Sequence, residues 1–225
     1  MYTLTKYLDK KNTGLELSYL ELRRAIGWLG IALPIVLAIG TLLIGDCSVI
    51  KDSISDYYYT IMGCVLVGVL CGVSLFLFSY KGFNNWDWVT SNMAAIFALG
   101  VAFFPMVVKD GHDQCNILCR SDSPWRNNTH YGSAALFFIT LAYMSIFLFT
   151  KTDKQRITKK KKIRNKIYKA CGIIMIASIL LIASLRIKCV YEILSPFKPT
   201  FILETIALWA FGFSWLTKGE FLLKD

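Results

Sequence analysis

The sequence predicts an all-α integral membrane bundle of six transmembrane helices with both termini cytoplasmic. Three observations carry that prediction. Over 225 residues, apolar types make up 55% and charged types only 18%, where soluble domains carry roughly 25% charge. The mean hydropathy is +0.49, more apolar surface than a soluble globule of this size can hide. The apolar residues gather into six stretches, each near the roughly 20 residues a helix needs to cross a bilayer. The basic residues, 25 against 15 acidic, collect on one side of those stretches. A soluble Rossmann enzyme, a disordered tail and a free nucleic-acid-binding domain are excluded.

Residues 1–24 read as a cytoplasmic N-terminal segment. They hold no apolar run and carry Asp9, Glu16 and Glu21, unlike a cleavable signal. Thr13-Gly14-Leu15-Glu16 has capping-box spacing. A short amphipathic helix is therefore expected on the membrane surface, feeding the first span. The transmembrane domain covers residues 25–217, with spans at about Ala25–Gly45, Ile61–Tyr80, Trp88–Val108, Tyr131–Thr150, Ile167–Ile187 and Phe201–Thr217. Residues 218–225 form a cytoplasmic tail. Membrane strands alternate apolar and polar residues, whereas these stretches are apolar on every face. Within the second, Gly68 and Gly72 match Gly-x-x-x-Gly and predict close helix packing.

Orientation follows from the loop lysines and arginines. The N-terminus, the Lys81 loop, residues 151–169 and the C-terminus hold 18 of the 25 basic residues, so that side is cytoplasmic. The run Lys159-Lys160-Lys161-Lys162-Ile163-Arg164-Asn165-Lys166 reads as a topology determinant resting on anionic headgroups rather than a nucleic-acid patch, since the chain offers no nucleic-acid-binding fold. The expected partners of the chain are thus membrane lipids, with anionic headgroups at the basic loop 151–169. The expected location is the cell membrane, the inner membrane of a bacterium or an endomembrane of a eukaryote. Asn127-Asn128-Thr129 is an outward-facing glycosylation sequon that matters only in a secretory compartment.

The seven cysteines divide by location. Cys64, Cys71 and Cys171 fall within spans, whereas Cys47, Cys115, Cys119 and Cys189 fall in the three outer loops. Disulfides persist in oxidising compartments, so two bridges are expected among these four, in any of three connectivities. A zinc site is the rival reading, and Cys-x₃-Cys without a second close pair argues against it.

Polar residues converge at the outer helix ends. Ser53-Ile54-Ser55-Asp56-Tyr57-Tyr58-Tyr59-Thr60 follows the first span, and Asn128-Thr129-His130-Tyr131 precedes the fourth. Glu204 lies about one turn below the outer end of the last span, roughly 6 Å deep at 1.5 Å per residue. An ionisable group at that depth is costly and is a functional candidate by default. Ser53, Ser55, Asp56, Tyr58, His130 and Glu204 are the candidate pocket residues. Each has a plainer reading: an interfacial belt for the tyrosines, a helix cap for Asp56, an interfacial imidazole for His130, and an ion pair with Arg186 or Lys188 for Glu204. Ser53 or Ser55 with His130 and Asp56 could compose a nucleophile–base–orienter set. Gly-rich phosphate loops, His-Glu-x-x-His and Gly-x-Ser-x-Gly are absent. With His112 and His130 as the only histidines, a three-histidine metal site is excluded, and no metal or cofactor is expected.

At these residues the chain resembles the damage-regulated autophagy modulator (DRAM) family, which is joined with a Golgi protein of GPI-anchor lipid remodelling. Ser53-Ile54-Ser55-Asp56 resembles its Ile-Ser-Asp signature, His130 with the small residues after it resembles the start of its fourth span, and Glu204 through Trp215 resembles the Glu-Trp and Ala-Phe-Gly pattern of its last span. The resemblance implies six helices with cytoplasmic ends and a lipid-related or regulatory role. A looser likeness is to the CREST membrane hydrolases, which use several histidines around a metal. The expected function is an outward-facing polar pocket that binds or remodels a lipid headgroup. The alternatives are a non-catalytic structural or regulatory bundle and a small channel or transporter. Asn92 is the main amide within a span, thin support for a pore.

Overall fold

The computed structural model describes residues 2–45, 47–82, 84–106, 124–152 and 157–223, with side chains described in these ranges except at 2–18, 188 and 189. Every regular element among them is helical. Helix α1 (Tyr2–Ile44) leads through a 3₁₀ turn (Ile54–Tyr59) to α2 (Gly63–Ser79) and α3 (Asn85–Phe103). There follow α4 (Pro124–Tyr143) with a π turn (Met144–Leu148), α5 (Lys159–Ser184), the short α6 (Lys188–Leu194) and α7 (Pro199–Lys218).

The expected surface helix at the N-terminus is not a separate element. Helix α1 runs unbroken for 43 residues straight through the capping spacing. Such a sequence starts a helix only where the preceding chain is not already helical, and one Gly14 weakens a helix by only about 1 kcal/mol. The segments Tyr19–Ile44, Pro124–Leu148, Lys159–Ser184 and Pro199–Lys218 are long and apolar enough to cross a membrane. Helix α2 is apolar but has 17 residues, about 26 Å at 1.5 Å per residue and short of a core of about 30 Å. Helix α3 opens on Asn85-Trp86-Asp87, so its first turn is polar.

The six long helices close a ring in which each packs against the next in sequence, and α7 returns to both α5 and α1. At the α1–α7 crossing two glycines oppose one another. A Cβ on Gly27 would meet the Gly212 carbonyl at 2.9 Å, and one on Gly212 would meet the Gly27 carbonyl at 2.7 Å. This is the close backbone approach that small residues permit in membrane bundles. The Gly68–Gly72 pair, expected to play that part, does not: nothing lies within 4 Å of either position. Spacing alone does not fix which helix face meets a neighbour.

Polar groups inside the ring are satisfied across helices. Ser145 donates to the Tyr168 carbonyl at 2.8 Å and shares a 2.6 Å hydrogen bond with Ser214, joining α4, α5 and α7. The π turn sits at that junction, closed by a 2.9 Å bond from the Phe149 N–H to the Met144 carbonyl. Ser74 donates to the Ala95 carbonyl at 2.9 Å and Ser91 to the Leu77 carbonyl, tying α2 to α3. Around these bonds pack Leu37, Leu77, Met144, Phe211 and Trp215, each buried to at least 98%. Asn92 instead returns its amide to the Trp88 carbonyl of its own helix at 2.8 Å from an exposed face. It lines no pore.

Candidate functional site

The 3₁₀ turn after α1 organises the end of the bundle opposite the polylysine segment. Ser53 caps it in extended conformation, accepting a hydrogen bond from the Ser55 N–H at 3.1 Å. This is the Asx-like local geometry that serine favours over a continued helix. The turn is then stitched to the start of α7. The Phe201 N–H donates to the Asp52 carbonyl at 2.9 Å, and the Lys198 ammonium donates to the Ile50 carbonyl. Lys198 also pairs with Asp52 at 3.1 Å, an exposed pair of little energetic weight.

Glu204 makes the strongest of these ties. The Ile54 N–H donates to its carboxylate at 2.6 Å, and the Ser53 hydroxyl bridges both carboxylate oxygens at 3.0 and 3.1 Å. These partners are all neutral donors, so the ion pair with Arg186 that the sequence allowed is replaced by a hydrogen-bonded tether. Arg186 lies instead over the Tyr131 ring, 4.3 Å from its centroid.

On the other side of the same turn, Ser55 meets His130. The Ser55 Oγ and His130 Nε2 are 2.9 Å apart, and His130 Nδ1 is 2.9 Å from the Phe104 carbonyl. A carbonyl can only accept, so Nδ1 carries the proton and Nε2 is left as the acceptor for the serine hydroxyl. The imidazole is thus a base oriented by a backbone carbonyl, and it is buried to 97%. Beside the pair opens a cavity of about 10 Å³, lined by Ser55, Tyr58 and His130 and walled by Leu66, Leu70, Val101 and Pro105. That is room for about one water.

Asp56 follows Ser55 in the turn without joining the pair. Its side chain is buried and its Oδ1 has no hydrogen-bond partner. Burial, reinforced by repulsion from Asp52 and opposed by Lys51, pushes its carboxyl up to about 6. It does not cap α2, whose first turn follows Met62 with no side-chain cap. The tyrosines are not an interfacial belt either. Tyr57 and Tyr59 are buried, accepting from the Lys51 N–H at 3.3 Å and donating to the Met106 carbonyl at 2.9 Å respectively.

The turn therefore gathers all six candidates, divided between two faces: Ser53 with Glu204, and Ser55 with His130 beside Tyr58. Glu204 does not line the cavity. Sequence reasoning missed the Phe104 carbonyl, because a main-chain acceptor leaves no mark in residue type. Cys64, Cys71 and Cys171 are free thiols within helices, and Cys47 is buried and not among the free thiols. Cys115, Cys119 and the sulfur of Cys189 lie outside the described residues. No group of three or more His, Cys, Asp or Glu suited to a metal gathers among the described residues. No protein-family model, curated protein or solved structure matches the chain.

Proposed function

We propose that the chain is a six-span membrane protein, with both ends on the polylysine side, whose opposite end binds the ester or headgroup region of a lipid and remodels it by acyl transfer. The observation that carries this reading is the Ser55–His130–Phe104 chain of two 2.9 Å hydrogen bonds, which leaves a serine hydroxyl on an oriented imidazole. Ser55 Oγ attacks an ester carbonyl while His130 Nε2 takes its proton. The tetrahedral centre then expels the lipid alcohol, which leaves with that proton, and the acyl group stays on Ser55. Water or a second alcohol completes the transfer. General-base help of this kind contributes typically 10²–10⁴-fold.

A second reading, a non-catalytic bundle locked by polar contacts, is favoured at Glu204, whose carboxylate is occupied by the turn it anchors. One experiment separates the two. The full-length protein in phosphatidylcholine vesicles is treated with a lipid-chain fluorophosphonate and digested for mass spectrometry. An adduct on Ser55, absent in S55A and slowed at least about tenfold in H130Q, supports the enzyme. An unmodified Ser55 in folded protein removes it and leaves the structural bundle.

A further inference from the structure

We infer that Glu204 is a positioning residue for Ser55: acting through Ser53, it sets the serine hydroxyl on His130. The inference rests on the acyl-transfer reading above and adds a residue of α7 to that machinery. One line of hydrogen bonds carries it. The Ser53 hydroxyl donates to the Glu204 carboxylate at 3.0 and 3.1 Å, and its oxygen accepts the Ser55 N–H at 3.1 Å. The Ser55 Oγ then lies 2.9 Å from His130 Nε2. The two faces of the turn are thus joined through a single atom, Ser53 Oγ.

The chemistry of the carboxylate explains why a glutamate holds this line. A serine hydroxyl has one proton and two lone pairs, and it rotates to suit its neighbours. A carboxylate can only accept, so Glu204 keeps the Ser53 proton turned toward α7 and leaves a lone pair for the Ser55 N–H. Ser53 is extended, with φ −143° and ψ 153°, the conformation from which a serine side chain caps a turn. The Ile54 N–H donates to the same carboxylate at 2.6 Å. Two consecutive residues are therefore held on Glu204, and the nucleophile is the next in the chain. Its placement matters, because a shift of about 1 Å can cost about 10²-fold in rate.

The turn is also fastened to α7 without Glu204. The Phe201 N–H donates to the Asp52 carbonyl at 2.9 Å, and Lys198 reaches the Ile50 carbonyl and the Asp52 carboxylate. These bonds precede Ser53 in the chain and none of them touches Ser55. They keep the turn against the helix, while Glu204 sets the geometry of the residues that follow. An amide at 204 separates the two tasks. It keeps the volume and one acceptor for the Ile54 N–H, but its NH₂ faces Ser53 Oγ as a donor. The hydroxyl must then turn away, and the hold on the Ser55 N–H loosens.

The test follows the rate of Ser55 modification by the lipid-chain fluorophosphonate across probe concentrations, with the full-length protein in phosphatidylcholine vesicles. Thermal unfolding is read alongside. E204Q and S53A should lower the limiting rate about tenfold or more. The half-saturating probe concentration should stay near that of wild type, because neither residue lines the cavity. S53T keeps the hydroxyl and should label at close to the wild-type rate. The double variant S53A/E204Q should be no slower than S53A, since both residues act through one oxygen. G212A, which disturbs α7 away from the turn, should melt lower and leave the limiting rate of the folded protein unchanged. Labelling of E204Q and S53A at the wild-type rate overturns the positioning role and leaves the acyl-transfer reading standing. G212A slowed as much as E204Q also overturns it, since any loosening of α7 would then suffice. An unmodified Ser55 in folded wild type removes both. If E204Q does not fold, S53A against S53T decides, and equal rates overturn the proposal.

Discussion

Asp56 shows how one buried side chain makes stability depend on pH. Burial favours its protonated form, so the folded pKa of about 6 lies above the ordinary 3.8. Its contribution is whole below about pH 3.8 and is lost as pH climbs through 6. The loss amounts to about 3 kcal/mol at neutral pH. D56N keeps the shape and cannot ionise. It should match wild type near pH 4 and unfold at higher temperature than wild type near pH 7. A melting difference that stays flat across this range would show that Asp56 does not titrate in the folded protein. Glu204 behaves differently, because its carboxylate already has three donor contacts. E204A strands the buried Ile54 N–H and the Ser53 hydroxyl, at about 3 kcal/mol for hydrogen bonds to a charged group. Purified E204A should therefore melt well below wild type, and an unchanged midpoint would mean the tether bears no load.

At the scale of elements, the α1–α7 crossing depends on two missing side chains. A methyl at position 212 would sit 2.5 Å from the Ile31 side chain and 2.7 Å from the Gly27 carbonyl, and one of the helices must move. We expect G212A to destabilise by about 1–3 kcal/mol, measured by thermal unfolding in detergent. G68A, with open space around it, serves as the control and should change little. Equal midpoints for the two variants would show that the crossing is not tight. The contrast explains what was legible in the sequence. Hydropathy revealed where the helices lie, because it reports only that a stretch is apolar. It did not reveal which glycine faces a partner, since a helix apolar all round offers no periodicity to orient it. The π turn at Met144–Leu148 was equally silent in the sequence; it lies where Ser145 meets Ser214 of a distant segment.

For the whole molecule, the convergence of Ser55, His130 and Glu204 on one end was legible from loop parity and depth along each span. Their division between two faces was not, because it follows from how α4 and α7 rotate about the turn. The same parity makes topology testable. An impermeant thiol reagent applied to intact cells should label D52C, at the exposed turn after α1, and spare K160C in the polylysine segment. The reverse pattern would invert the orientation. Oxidising conditions on the Asp52 side would also admit the expected bridges among Cys47, Cys115, Cys119 and Cys189, worth typically 2–4 kcal/mol each. Non-reduced digests should yield linked peptides containing these residues, and four free thiols would refute the bridges.

The closure of the ring by α7 also sets an order of events during synthesis. The face of α1 that carries Gly27 and Gly30 is covered by Gly212, Phe211 and Leu216, which are made more than 180 residues later. At about 5–20 residues per second, the first helix waits roughly 10–40 s for its partner. During that interval its small-residue stripe lies open to lipid, to another nascent chain or to the insertion machinery. A ribosome that stalls before α7 therefore releases a chain whose first span has been inserted and never closed. Such a fragment is a natural substrate for membrane quality control, whatever the finished protein does.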